Sequence, residues 1–178
     1  MRFIRKYGDL RELTIFTLLL DTGLWAEELT NLKLSDVILS ERKGKVIVRK
    51  GKCGRYREVP LNVDTRRVLA NYIEEEGVHN NDSLYLFTSQ RSPKLSTRAI
   101  QHLFAKYQRL TGIEHLTAHA LRHTFIKELV NRKIPLDVVA RLADHMKNNG
   151  MPNIEMTLIY TQPNEDDLAK AVEELSWV

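Results

Sequence analysis

Cysteine is nearly absent from this 178-residue chain: Cys53 stands alone, so no internal disulfide can form, and without a CxxC pair there is no pattern for a structural zinc site. Proline and glycine are sparse, 5 and 8 residues, which excludes collagen-like and low-complexity chains. No apolar run approaches the ~20 residues of a spanning helix. The longest stretch free of charge and rich in apolar residues is Leu13 to Leu20, and Met1-Arg2-Phe3-Ile4 carries no signal-peptide pattern. These absences predict a soluble, intracellular protein. With 43% hydrophobic and 28% charged residues, the chain has what a packed core needs, and its length fits one domain, 1–178.

Charge adds a direction. The last fifteen residues hold five acids (Glu165, Asp166, Asp167, Glu173, Glu174) against Lys170, a net of −4, so from an overall +4 the first 163 residues carry about +8. A basic body favours a polyanionic partner, because neutralising phosphates releases counterions. The acidic tail would repel DNA and is expected to pack on protein.

Periodicity predicts a mostly α fold with one small antiparallel β element, an α+β class. Apolar residues crowd most of the surface of a helix from Asp9 to Asp21, which Thr22-Gly23 ends. A second helix follows from Ala26 to Leu32, and Ser35-Asp36 reads as a turn. Between Gly44 and Leu61 the pattern becomes a hairpin with its turn at Gly51-Lys52-Cys53-Gly54, carrying Lys45, Arg49, Lys50, Lys52, Arg55 and Arg57. Helices are expected over Val63 to Glu76, over Thr97 to Leu110 with Ser96 as cap, from Thr117 to about Asn131, and from Pro135 to about His145. After a break at Asn148 to Asn153 come a short helix around Glu155 to Tyr160 and a terminal one to about Leu175.

The densest chemical cluster is Thr117-Ala118-His119-Ala120-Leu121-Arg122-His123, in which His119 and Arg122 share a helix face. A titrating imidazole beside a fixed cation suits phosphoryl chemistry, although a solvated helix carries such pairs routinely. His115, His119 and His123 recur every four residues, but with no acidic partner nearby and Arg122 among them a metal is not expected. Lys52, at a glycine-flanked tip, is either a solvated turn lysine or a cation able to reach into a groove. Tyr160 is either a half-buried aromatic or a nucleophile, and His145, ending Leu142-Ala143-Asp144-His145, is bland alone.

Taken in order, these blocks resemble the tyrosine recombinase (phage integrase) family over almost the whole chain, about Asp9 to Leu175. They are Asp21-Thr22-Gly23-Leu24-Trp25-Ala26-Glu27-Glu28-Leu29, the hairpin ending Arg57-Glu58-Val59-Pro60-Leu61, His119-Ala120-Leu121-Arg122-His123-Thr124-Phe125, and Leu142 to His145 before Ile154 to Tyr160. Four ordered blocks are a far more specific signal than any one. The resemblance implies a DNA-associated, cytoplasmic protein of prokaryotic type, with the fold of that family's C-terminal catalytic domain. It implies strand exchange in double-stranded DNA, as in recombination or integration of a mobile element, through a 3′-phosphotyrosyl intermediate and without metal or nucleotide cofactor. By position, Tyr160 would be the nucleophile, Lys52 the general acid for the leaving 5′-oxygen, His119 an acid–base or phosphate-orienting group, and Arg122 and His145 stabilisers of the non-bridging oxygens. Glu28 would orient neighbouring groups, while Lys50, Arg55 and Arg57 would face DNA. A terminal helix here packs into an adjacent protomer in the family, which assembles as tetramers on DNA, so self-association through Leu168, Ala171, Val172 and Leu175 is expected, with a monomer as the alternative when free.

Three departures matter. The family's first catalytic arginine normally follows Thr-Gly-Leu, and Trp25 stands there. An indole cannot fork a phosphate or carry charge, so strong impairment is expected: losing one such donor costs about 2.7–4 kcal/mol. The 14 residues between His145 and Tyr160 exceed the family's usual spacing, which leaves open whether Tyr160 swings or serves a neighbouring protomer. The family's N-terminal DNA-clamping domain has no counterpart in the sequence, so weak site affinity is expected. Alternatives from other classes are a non-catalytic DNA-binding module of the same fold and a topoisomerase-like relaxer.

Overall fold

The computed structural model describes residues 1–51, 54–75, 85–89, 92–161 and 165–175, without the side chains of 2, 3, 7, 166 and 167. Its elements are α1 (Arg2–Tyr7), α2 (Leu10–Thr22), α3 (Ala26–Asn31), a 3₁₀ turn (Leu34–Asp36), β1 (Val37–Leu39), β2 (Gly44–Val48), β3 (Arg57–Pro60), α4 (Val63–Glu75), α5 (Thr97–Thr111), α6 (Ala118–Asn131), α7 (Leu136–Leu142), α8 (Ile154–Leu158) and α9 (Glu165–Glu173). The fold is mostly helical with one antiparallel sheet ordered β1-β2-β3. The hairpin is thus one strand larger than the alternation predicted, because Val37 pairs with Val46 and Leu39 with Gly44. Strand β1 is three residues long and follows directly on a turn, too short to show period two.

Helix α2 forms the centre. Its Asp9 cap accepts the Glu12 amide at 2.6 Å, and Ile15, Phe16, Leu18 and Leu19 are all buried. It packs against α4 and α6, while Phe16 meets Phe104 and Tyr107 of α5 with ring centres 4.6 and 5.0 Å apart. The sheet adds Val46, Val48 and Val59 to the same core. Gly23 ends α2 in the left-handed region at φ 61°, and a Cβ there would lie 2.4 Å from Phe125 Cδ1, so both backbone and packing require glycine. The chain then turns directly into α3 with Trp25 at the start.

A smaller cluster of Ile126, Val139 and Ala143, with Phe125, Leu129 and Ile134, joins α6 to α7, and the Tyr160 ring packs on it. The apolar side of α9 is turned outward: Leu168, Val172 and Leu175 are each more than half exposed. Among the described residues, no helix is long and apolar enough to cross a membrane.

Candidate active site

Helix α6 begins where the cap motif places it, Thr117 Oγ1 accepting the Ala120 amide at 3.0 Å. His115 lies before that cap at φ 57°, so the four-residue histidine repeat is broken and only His119 and His123 share the helix face. Arg122, one position round, points inward and is 3% exposed. Its Nη1 donates to the Gly23 carbonyl and its Nη2 to the Ala143 carbonyl, tying the end of α2 to the end of α7. Burial, with Arg57 nearby, pushes its pKa down to about 10, so it remains a cation at neutral pH.

Trp25 lies over that cation, its ring centre 4.4 Å from the guanidinium carbon, and stacks on His119 at 5.6 Å and 19°. It fills its position with packing instead of a donor. His119 Nε2 meets His123 Nε2 at 2.8 Å, and His123 in turn lies 5.1 Å from the Tyr160 ring. Burial, then His119 and Arg122, hold the His123 pKa below its ordinary value. Neither His123 nor its contacts stand out in the sequence as anything but a failed metal repeat.

Tyr160 is brought to this cluster by its own chain. Asp144, in the left-handed region at φ 51°, turns the backbone so that the His145 amide reaches the Ala140 carbonyl at 2.8 Å. His145 is 4% exposed, its Nδ1 is 3.1 Å from Thr157 Oγ1, and its ring stacks on Tyr160 at 6.1 Å. The intervening loop, whose length left open whether Tyr160 swings or serves a neighbouring protomer, is closed on itself. Met146 bridges Pro152, the Lys147 amide reaches the Met151 carbonyl at 2.8 Å, and the Asn153 amide reaches the His145 carbonyl at 2.7 Å. Burial pushes the Tyr160 phenol up, and Arg122 pulls it the other way.

The basic hairpin differs from its expected outward orientation. Arg57 grips Glu28 with both terminal nitrogens, at 2.6 and 2.7 Å, and Glu28 Oε2 also accepts the Trp25 amide at 2.9 Å. Glu28 is buried and the Arg57 side chain is only 10% exposed, so this cation links β3 to α3. Glu28 holds both Arg57 and the backbone at the start of α3. Arg55 reaches Asp144 at 3.6 Å and donates to the Met146 and Lys147 carbonyls at 3.1 and 3.3 Å. Lys45 pairs with Glu58 and Arg49 with Asp36. Lys50 is exposed, whereas Lys52 lies outside the described residues. Burial pushes the Asp144 carboxyl up against the opposing pull of Arg57 and Arg55, and Oδ2 has no hydrogen-bond partner among the described residues.

The Tyr160 ring thus lies beside the rings of His123 and His145, with the buried Arg122 close by. The model of the Phage integrase family matches residues 1–167. This chain belongs to the phage integrase family. It is 33% identical over 167 residues to tyrosine recombinase XerA of Pyrococcus furiosus, covering 92% of this chain and 54% of that one. It is 31% identical to the TnP I resolvase of Bacillus thuringiensis, covering 98% and 58%. The chain therefore spans a little over half the length of these curated relatives. Among solved structures, that of XerA recombinase superposes with a TM-score of 0.75 at 27% identity, covering 96% of this chain and 58% of the other. XerH recombinase bound to a palindromic difH substrate gives 0.76 at 23% identity, covering 92% and 45%, a likeness of fold.

Proposed function

We propose that this chain is the catalytic part of a site-specific DNA recombinase or integrase that breaks and rejoins strands through a phosphotyrosyl bond at Tyr160, and that Trp25 strongly impairs it. Support comes from one observation: Tyr160, His145, His119 and Arg122, carried by α6, the α7–α8 turn and the end of α8, converge on a single site within one chain. The Tyr160 hydroxyl oxygen attacks phosphorus and passes its proton to His119. The bond from phosphorus to the 5′-oxygen breaks, and that oxygen takes a proton from Lys52. A second strand's 5′-hydroxyl then reverses the sequence, so neither a nucleotide nor a metal is consumed. Arg122, already buried and anchored, and His145 stabilise the non-bridging oxygens, and His119 orients the phosphate or moves a proton. Double-stranded DNA is the partner, and the exposed Leu168, Val172 and Leu175 face of α9 docks on a second copy.

A trapping assay with nicked suicide DNA from a pooled sequence library tests this, comparing the chain with Trp25→Arg and with Trp25→Arg/Tyr160→Phe. A nucleotide adduct on the Tyr160 peptide in the Trp25→Arg form alone is the expected result. An equal adduct on the unaltered chain refutes the impairment, and none on either form refutes the recombinase assignment. A second assignment, a DNA-binding module that cuts nothing, is favoured by the indole seated over Arg122. DNA binding without an adduct in either form is its signature.

A further inference from the structure

We propose that His123 is a positioning residue: it holds the Nε2 of His119 through a shared proton and seats the Tyr160 ring, so that His119 offers only its Nδ1 to a phosphate. The proposal rests on the assignment of this cluster as the recombinase site. Two imidazole nitrogens 2.8 Å apart must be one N–H donor and one lone pair. The two rings are nearly perpendicular, at 76° with centres 4.3 Å apart, so they meet edge to face around that close nitrogen contact. In the neutral pair the imidazoles therefore hold complementary tautomers, one protonated at Nε2 and one at Nδ1. They hold at most one positive charge together, because a second proton would place two N–H groups head to head.

Groups from three elements face this pair. His119 and Arg122 face His123 from its own helix, Tyr160 faces it from the end of α8 with His145 behind, and uncharged Trp25 covers His119 from the start of α3. Arg122 and partial burial disfavour a charge on His123. One side chain thus fixes the acid–base group and touches the nucleophile.

Long-range proton–nitrogen correlation on protein labelled with 15N-histidine reads the tautomers directly at neutral pH. Opposite tautomers for His119 and His123 are expected in the unaltered chain, and the same tautomer on both overturns the proposal. His123→Phe keeps a ring against Tyr160 but no nitrogen, so His119 should relax to an averaged tautomer. His123→Gln, whose amide reaches where Nε2 stood, should restore the fixed one. A His119 spectrum unchanged in the Phe variant also refutes it. In the Trp25→Arg background, adduct formation should fall roughly tenfold or more with Phe, out of the ~10²–10⁴ a positioned acid–base group supplies, and recover with Gln. If Trp25→Arg makes no adduct, the recombinase assignment fails by itself, while the tautomers still decide the role of His123.

Discussion

Replacing Glu28 with alanine should destabilise the chain far more than its place at a short helix implies. Its carboxylate is 6% exposed and accepts three hydrogen bonds, two from Arg57 and one from the Trp25 amide. Truncation leaves the Arg57 side chain, itself 10% exposed, with only Asp144 at 3.9 Å as a counter-charge among the described residues. Removing one partner of a buried pair costs about 3–5 kcal/mol because the other charge stays desolvated. Against a total stability of about 5–15 kcal/mol this is a large fraction. With a urea slope of about 1–3 kcal/mol per molar, the unfolding midpoint should fall by 1 M or more. Glu28→Gln, which keeps one acceptor oxygen, should lose less. Removing both charges in Glu28→Ala/Arg57→Met should cost less than Glu28→Ala alone, since no orphan charge remains. Equilibrium urea unfolding of the four proteins measures all of this. A Glu28→Ala loss below about 1 kcal/mol, or a double variant weaker than the single, would refute the account of this pair as a buried, mutually dependent unit.

Three further outcomes follow from the same geometry. Because the folded state holds the His123 pKa below its ordinary ~6.5, the unfolded chain binds that proton more tightly. Stability from this group is then complete above pH ~6.5 and lost as pH falls toward the folded value, so His123→Phe should flatten the decline in unfolding free energy between about pH 7 and 5. Asp144 runs the other way: its raised folded pKa means that its contribution is complete below the unfolded value of ~3.9 and is lost as pH rises through the folded value. Asp144→Asn, which removes the buried charge yet tolerates φ 51°, should change stability at neutral pH by less than about 1 kcal/mol, whereas Asp144→Ala should lose 1–2 kcal/mol more; a loss above about 2 kcal/mol in the Asn variant would show the ion pairs to dominate. Gly23→Ala combines a left-handed backbone with a Cβ 2.4 Å from Phe125, so thermal unfolding should register about 2–4 kcal/mol, relieved in part by Phe125→Leu; no relief would place the cost in the backbone alone.

Local chemistry was legible in the sequence, and long-range pairing was not. Ser96, Thr117 and Gly23 mark helix ends through groups within four residues, so each is readable, and the structure has Ser96 accepting the Ala99 amide at 3.1 Å. The order of the blocks carried Tyr160, His145, His119 and Arg122 to one site. Arg57 shows the limit. On a strand it reads as a basic face toward DNA, and only the tertiary fold brings Glu28, twenty-nine residues earlier, to within 2.6 Å. Arg55 is claimed likewise by carbonyls about ninety residues away. His123 was hidden for the opposite reason: its neighbours in sequence invited a metal pattern, and Tyr160, whose ring it meets, comes from the turn after α8.

Trp25 joins these two kinds of information. By residue type alone it is an aromatic ring that cannot fork a phosphate or carry charge. In the fold it is also a support, stacked on His119 and lying over the guanidinium of Arg122, whose terminal nitrogens already hold the carbonyls of Gly23 and Ala143. A cation–π contact of this kind is worth about 0.5–2 kcal/mol and braces the buried Arg122. Restoring arginine would thus return a phosphate donor while removing an aromatic brace and placing a second cation beside Arg122. The site should regain chemistry and lose stability together. Less adduct and an unchanged unfolding midpoint in Trp25→Arg would show that the indole is neither lesion nor brace.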